Sequence, residues 1–223
     1  MTRPRAWMSW SSGKDSALAL HETLAAGEVD VVGLLTTVNS TADRVAMHAV
    51  RRVLLERQAA ALARPLHVVD LPWPCPNAVY EERMTAALQA ARSDGVTHMV
   101  FGDLFLEDIR AYREQALEGT GITPLFPLWG RPTSGLATEM IAVGIRAHLT
   151  CVDPRQAPRE LAGRPFDAHL LAQLPADVDP CGENGEFHTF VWSSPDFRAP
   201  IPVEVGEVVE RDGFIFADLV PAG

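Results

Sequence analysis

The segment Ala6-Trp7-Met8-Ser9-Trp10, followed by Ser11-Ser12-Gly13-Lys14-Asp15-Ser16 and then Ala17-Leu18-Ala19-Leu20, constrains this chain more than any other. It reads as a short apolar strand, a turn of small residues and the start of a helix. A strand that passes through such a turn directly into a helix opens a parallel α/β unit. It also aims backbone N–H groups and the positive end of the helix at whatever lies beyond the strand. That is an anion cradle. Lys14 sharpens the reading, because it is the only lysine in 223 residues and the other eighteen basic side chains are arginine. A position that stays lysine against that bias points to a compact ammonium placed between oxygens, which a planar guanidinium does not imitate. The plainer alternative is a serine-rich helix cap with an incidental lysine. Lys14, Asp15 and three hydroxyls within six residues favour phosphate. The spacing is neither a Walker A loop nor Gly-x-Gly-x-x-Gly, so a P-loop or dinucleotide fold is not indicated.

The first half of the chain continues the same alternation. Val31–Leu35 reads as a buried strand after a helix stop at Gly27, and 45–62 carries Val50, Val53, Leu54 and Leu62 at helical spacing. Residues 65–69 form the next strand, 77–92 a helix stopped by Asp94-Gly95, and 98–101 a fourth strand. Strands separated by helices imply parallel pairing, with ligands beyond the carboxyl ends of the strands. Residues 11–16 fall there. So does Gly102-Asp103-Leu104-Phe105-Leu106-Glu107-Asp108-Ile109-Arg110, after the fourth strand. Glu107 and Asp108 taken alone also suit the first turn of a helix, where acids complement the macrodipole, and Arg110 and Arg113 also suit a salt-bridged helix surface. Asp103 follows Gly102 at the strand end, where ligand-facing residues concentrate.

Composition excludes several classes. No stretch is long and apolar enough to span a bilayer, and residues 1–10 lack the pattern of a secretory leader. Cys75, Cys151 and Cys181 are odd in number and widely spaced, which points to a reducing cytoplasm rather than a disulfide scaffold or structural zinc. A net charge of −10 argues against nucleic-acid and membrane partners.

From about Trp129 prolines and glycines become frequent, so a first domain of 1–128 and a smaller mixed region of 129–223 are expected. The second region contains a helix at 134–143, a strand at 146–152 and a hairpin around Asp212-Gly213. Its densest polar run is Asp179-Pro180-Cys181-Gly182-Glu183-Asn184-Gly185-Glu186-Phe187-His188-Thr189. Two glycines flank Glu183-Asn184 and permit a tight turn against a ligand. A polar turn entering a half-exposed strand is the plainer reading. His48, His67 and His169 stand alone and read as satisfied or exposed histidines, and Cys181 reads as an inert thiol.

The residues at 11–16 resemble the pyrophosphate loop of the ATP pyrophosphatases in the adenine nucleotide alpha hydrolase superfamily. The run 102–114, the block Leu125-Phe126-Pro127-Leu128-Trp129-Gly130 and the run 181–189 resemble, in order, the blocks of the diphthine–ammonia ligase family. Ser12 stands where the superfamily often has glycine. The resemblance implies a HUP or Rossmann-like α/β fold: a parallel sheet flanked by helices. It further implies an ATP-dependent, amide-forming ligase that adenylates a carboxylate, releases pyrophosphate and transfers ammonia. Lys14, Asp15 and Asp103 would be catalytic. Ser11, Ser12, Gly13, Lys14, Ser16, Leu35, Thr36 and Gly102 would hold ATP, and Asp15 would hold Mg²⁺. Glu107, Arg110, Glu183, Gly185, Glu186 and Thr189 would face the acceptor, which is diphthine on an elongation factor or a small metabolite. For Glu183 and Glu186 the partner is left open between acceptor, ammonium and metal. A homodimer is left open as well. Two other readings compete: a tRNA-modifying ATP pyrophosphatase, which normally needs a basic surface, and a non-catalytic protein that binds ATP or AMP.

Overall fold

The computed structural model describes residues 2–45 and 48–222. Five strands form a parallel sheet: β1 (Arg5–Ser9), β2 (Asp30–Asn39), β4 (Leu66–Leu71), β5 (Val96–Val100) and β6 (Thr123–Leu125). Their spatial order is β4-β2-β1-β5-β6, and the two-residue strand β3 (Arg44–Val45) pairs antiparallel with the end of β2. The chain thus builds outward from β1 through β2 to β4, then returns to the other side of β1 for β5. The reversal lies between β1 and β5. Loops leaving neighbouring strands at such a point diverge to opposite sides and leave a crevice at the carboxyl edge of the sheet.

Helices α1 (Lys14–Ala26), α2 (Arg52–Leu62), α3 (Asn77–Ser93) and α4 (Glu107–Leu117) cover this sheet. α1 begins at once after the small-residue turn and ends at Gly27, whose φ of 63° closes the last turn through its N–H to the Thr23 carbonyl. Its buried positions run Lys14, Ser16 to Leu20 and Thr23, so more than one face is covered. The helical pattern that starts at Val45 in the sequence becomes helix only at Arg52. Val45 pairs with Val38 across a turn instead, and residues 46 and 47 lie outside the described residues. Pairing with the edge of β2 that β1 leaves free beyond Leu35 wins over periodicity there.

Beyond α5 (Thr133–Ala142), a second sheet of four antiparallel strands has the order β8-β7-β10-β9, with β7 (Arg146–Val152), β8 (Phe187–Ser193), β9 (Val203–Arg211) and β10 (Phe214–Pro221). The short helix α6 (Ala168–Gln173) lies between β7 and β8 in the chain. Asp212 and Gly213 join β9 to β10 with φ of 51° and 81°, both in the left-handed region that a two-residue hairpin turn requires. The first sheet ends at Leu125 and the second begins at Arg146. One continuous apolar core, from Met8 and Leu18 to Phe187 and Val191, joins them.

β8 lies against the 11–16 loop, and this contact places the second region on the first. The Val191 N–H donates to the Ser12 carbonyl at 2.9 Å. Gln58 of α2, fully buried, ties three pieces together: Nε2 donates to the Ser12 carbonyl (3.1 Å) and the Val191 carbonyl (2.7 Å), while Oε1 accepts from the Trp10 indole N–H (2.9 Å). Gln58→Leu keeps the volume and strands these polar groups. We expect it to lower stability by about 3 kcal/mol, roughly 6–12 °C in a domain of this size. A thermal melt checks this, and an unchanged midpoint would show that water or another side chain replaces the amide.

Candidate functional site

A cleft of about 450 Å³ opens at the reversal point, between the loops after β1 and β5 on one side and the turn before β8 on the other. Its walls carry Ser11, Lys14, Asp15 and Ser16 from the first loop, Leu35 to Thr37 from the end of β2, Gly102 and Asp103 after β5, and Glu183, His188 and Thr189 from the second region.

The loop is shaped by its own side chains. Ser12 has φ of 71°, the left-handed region that glycine enters freely and serine does not, so glycine is the natural occupant of that position. Ser11 Oγ accepts from the Gly13 N–H at 3.3 Å, and Ser16 Oγ donates to the Gly13 carbonyl at 2.9 Å. The Lys14 N–H donates to Thr189 Oγ1 at 3.1 Å. The sequence expectation offered every amide from Ser12 to Ser16 to an anion. In the structure those of Gly13 and Lys14 are occupied, by the Ser11 and Thr189 hydroxyls. The amides of Asp15 and Ser16, in the first turn of α1, have no protein partner among the described residues. Gly102 packs against this same turn so closely that a β-carbon there would sit 2.9 Å from the Ser16 nitrogen.

Lys14 is 1% exposed. Its ammonium meets both oxygens of Asp15, at 3.0 and 2.9 Å, and the carbonyl of Cys181, with the rings of Phe166 and Phe187 at 5.5 and 5.4 Å. Burial pulls its pKa down. The neighbouring Asp15, through its charge and its hydrogen bonds and helped by Glu183, more than compensates and holds it above the ordinary lysine value. Lys14 is therefore charged, and it links the first region to the second.

Three carboxylates share the cleft. Burial raises the pKa of Asp103, and Arg113, whose Nε lies 3.6 Å away, only partly offsets this. That separation is too long for a hydrogen bond, and Asp103 Oδ2 has no partner. Glu183 Oε1 accepts the Leu104 N–H at 2.7 Å. Burial, opposed by that hydrogen bond and reinforced by Asp15 and Asp103, pushes Glu183 up to about 7. Its proton is thus retained on folding between about pH 4.5 and 7, so its contribution to stability falls as pH rises through that window. Glu183→Gln keeps an acceptor for Leu104 and removes the titration. The variant should gain on the wild type by about 2 kcal/mol between pH 5 and pH 8. Paired melts of the nucleotide-free proteins test this, and a parallel pH dependence would place the Glu183 pKa in the ordinary range.

The structure separates the remaining expected acceptor residues from the cleft. Glu186 turns inward, where Oε1 accepts from the Asp179 N–H (3.0 Å) and from Asn184 Nδ2 (2.9 Å), so it braces the 179–186 turn. Gly185 supplies that turn's backbone with φ of 87°. Glu107 is exposed in the first turn of α4. Arg110 pairs with Glu114 at 2.8 Å and stacks on Phe126 and Trp129, away from the cleft lining. Glu186 and Arg110 have found nearer partners, which spacing along the chain does not reveal.

Two histidines on the cleft wall escape a sequence reading. His48 Nδ1 lies 3.0 Å from the Thr189 carbonyl, and its ring is 4.7 Å from that of His188. Burial lowers both, His188 to about 3, so the pair is neutral. Neither lies near the other in sequence. Cys181 is buried and its thiol is pushed up to about 12, mainly by burial.

A sequence profile described as the diphthamide synthase N-terminal domain matches residues 5–124, more than half of the chain. The bovine (Bos taurus) diphthine–ammonia ligase is 27% identical over 93% of this chain and 85% of its own, and the human (Homo sapiens) protein of that name is 25% identical over the same shares. Among solved structures, a chain titled a predicted subunit of tRNA methyltransferase from Methanocaldococcus jannaschii aligns with 86% of this chain and 98% of its own. Its TM-score is 0.46 and its identity 15%, too loose a likeness to argue from.

Proposed function

The chain belongs to the diphthamide synthase family, whose N-terminal domain it carries, and on that footing we propose that it is an ATP-dependent, amide-forming ligase. The observation that carries the reading is the cradle at the β1–β5 reversal point. Two unpaired amides, at Asp15 and Ser16, face the cleft at a helix N-terminus beside the charged Lys14. Such a site suits the β- and γ-phosphates of ATP as a leaving group. The main chain of Leu35 and Thr36, at the end of β2, would take adenine, leaving the α-phosphorus near Asp103.

The chemistry then follows in two steps. An oxygen of the acceptor carboxylate attacks the α-phosphorus, the bond to the bridging oxygen breaks, and pyrophosphate leaves with that electron pair. Lys14 and the free amides neutralise the charge that develops on it, a kind of preorganised stabilisation typically worth orders of magnitude in rate. Lys14 would exchange one Asp15 contact for a phosphate oxygen in doing so. Ammonia next attacks the acyl carbon, AMP leaves, and one proton is lost from nitrogen. Deprotonated Glu183, with its pKa near 7, is placed to take that proton.

Magnesium fits this donor set only in part. Among the described residues no three metal-binding side chains lie close enough to hold an ion by themselves. Asp15 and Asp103 are hard oxygen donors on the cleft wall, and Asp103 has a buried oxygen without a partner, so these two would hold Mg²⁺ with phosphate oxygens completing the shell. The ion would add charge neutralisation at the phosphates. The acceptor is a carboxylate, diphthine or a smaller molecule, and ammonia is the nitrogen source.

The decisive measurement is the bond broken. Chromatography of labelled ATP incubated with the protein, ammonium and candidate carboxylates should give AMP and pyrophosphate in equal amounts. ADP and phosphate as main products would place the chain among phosphotransferases, and binding without turnover would make it a nucleotide-binding protein.

A further inference from the structure

A second cavity, of about 400 Å³, adjoins the nucleotide cleft and lies between α3 and α4 over the sheet. Its origin is the thin cover these helices provide. Only Leu88 and Ala91 of α3, and only Leu117 of α4, are buried, so both helices ride high and leave an apolar crevice above Met99 and Phe101. Ser9, Leu35, Tyr80, Met84, Phe101 and Arg113 line both cavities, so the two meet along a shared wall.

Arg113 is the one charged residue at that junction. Its guanidinium lies over the Phe101 ring, 5.2 Å from the centroid, and its buried Nε has no hydrogen-bond partner. Asp103 forms an ion pair with it at 3.6 Å, too long for a hydrogen bond. Arg110, one turn earlier on the same helix, is by contrast fully engaged by Glu114 and two aromatic rings. A buried donor whose ion pair stops short of a hydrogen bond costs free energy unless a ligand completes it, and a planar guanidinium matches a carboxylate in two parallel hydrogen bonds. The crevice beyond it is walled by Tyr80 and Met84 on one side and Tyr112 and Ala116 on the other, with Glu81, Thr85 and Gln115 as its polar lining, and its apolar part suits an aliphatic chain.

We propose that the α3–α4 crevice is the acceptor pocket, which takes an aliphatic carboxylate with its chain between the helices and its carboxylate on Arg113 at the mouth of the nucleotide cleft. This rests on the ligase reading and moves the acceptor away from the 182–189 turn. The turn instead holds Lys14 and the loop. The carboxylate would enter from the α3 side, opposite the second region, and meet the nucleotide at the wall both cavities share.

Ligand-observed NMR with butyrate, hexanoate and octanoate, on the full chain with α,β-methylene ATP present, tests the assignment. Affinity should rise severalfold with each lengthening of the chain, because each methylene buried adds to binding. Ala116→Phe fills the crevice and should abolish hexanoate binding. Arg113→Gln should weaken hexanoate at least ~10-fold while changing hexanol by less than ~threefold, since only the acid needs the guanidinium. Calorimetric affinity for α,β-methylene ATP should stay within ~threefold in Ala116→Phe, whose site lies outside the nucleotide cleft. Should Ala116→Phe not fold, Thr85→Trp fills the crevice from the α3 side. Binding without chain-length dependence, equal loss of acid and alcohol in Arg113→Gln, or loss of nucleotide affinity in a folded Ala116→Phe protein would each overturn the proposal. The ligase reading fails separately: carboxylate binding in the crevice together with ADP as the product would leave the pocket standing and remove the reaction.

Discussion

Lys14→Arg is expected to cut AMP release at least ~100-fold, although it conserves the charge, because preorganised charge at a transferring phosphoryl group is typically worth that much. The niche explains why charge alone does not suffice. The Lys14 ammonium is 1% exposed and fits between Asp15, the Cys181 carbonyl and the rings of Phe166 and Phe187. A guanidinium is larger and planar, so it must displace one of these walls or leave the niche. Sequence alone suggests a mild effect on stability. Burial says otherwise, and overpacking of this kind typically costs about 1–3 kcal/mol. A thermal melt beside the turnover assay separates the two losses. Near-wild-type turnover would remove Lys14 from the pyrophosphate site, whatever happens to the melt.

Gly102→Ala should be as damaging by a different route. The added β-carbon would stand 2.9 Å from the Ser16 nitrogen and 3.0 Å from the Asp15 carbonyl carbon, distances at which backbone must move. Those are the residues whose amides remain free for phosphate, so the methyl group both shifts the helix N-terminus and caps the cradle. ATP affinity is expected to fall at least ~10-fold, about 1.4 kcal/mol, with a similar loss in folding stability. Gly135→Ala is the control. It lies in α5, and a β-carbon there meets nothing within 4 Å. Calorimetric titration of ATP into both variants checks the pair, and unchanged affinity in the Gly102 variant would mean that phosphate does not approach this turn.

Local patterns made most of the first sheet legible. The strand–turn–helix unit at 5–26, the strands at 30–39, 66–71 and 96–100 and the hairpin at 212–213 all carry short-range signals: apolar runs, helix stops at glycine and a two-residue turn. The failures are long-range. Val45 looks helical by spacing and pairs with β2 instead. His48 looks solitary and lies beside His188, 140 residues away along the chain, since both pack against the loop. Glu186 looks like a ligand residue beside Glu183, but a strand alternates its side chains and a turn re-aims them. One carboxylate therefore reaches the Leu104 amide, and the other folds back onto Asp179 and Asn184.

Arg110 and Arg113 show the division most sharply. The sequence offers two arginines in an acidic helix, equivalent as charges, and places both near the carboxyl edge of the sheet. It determined on its own that this chain forms a parallel α/β sheet with a small-residue turn into a helix after its first strand. Backbone propensity, glycine placement and the residue types in six consecutive positions are local properties, and they suffice for that. Only the tertiary structure decided which amides of the cradle stay free and which carboxylates share the cleft. It also decided which arginine meets Asp103 at the mouth of a second cavity. Those outcomes depend on how elements far apart in the chain pack, and packing assigns each polar group to its nearest partner in space rather than in sequence.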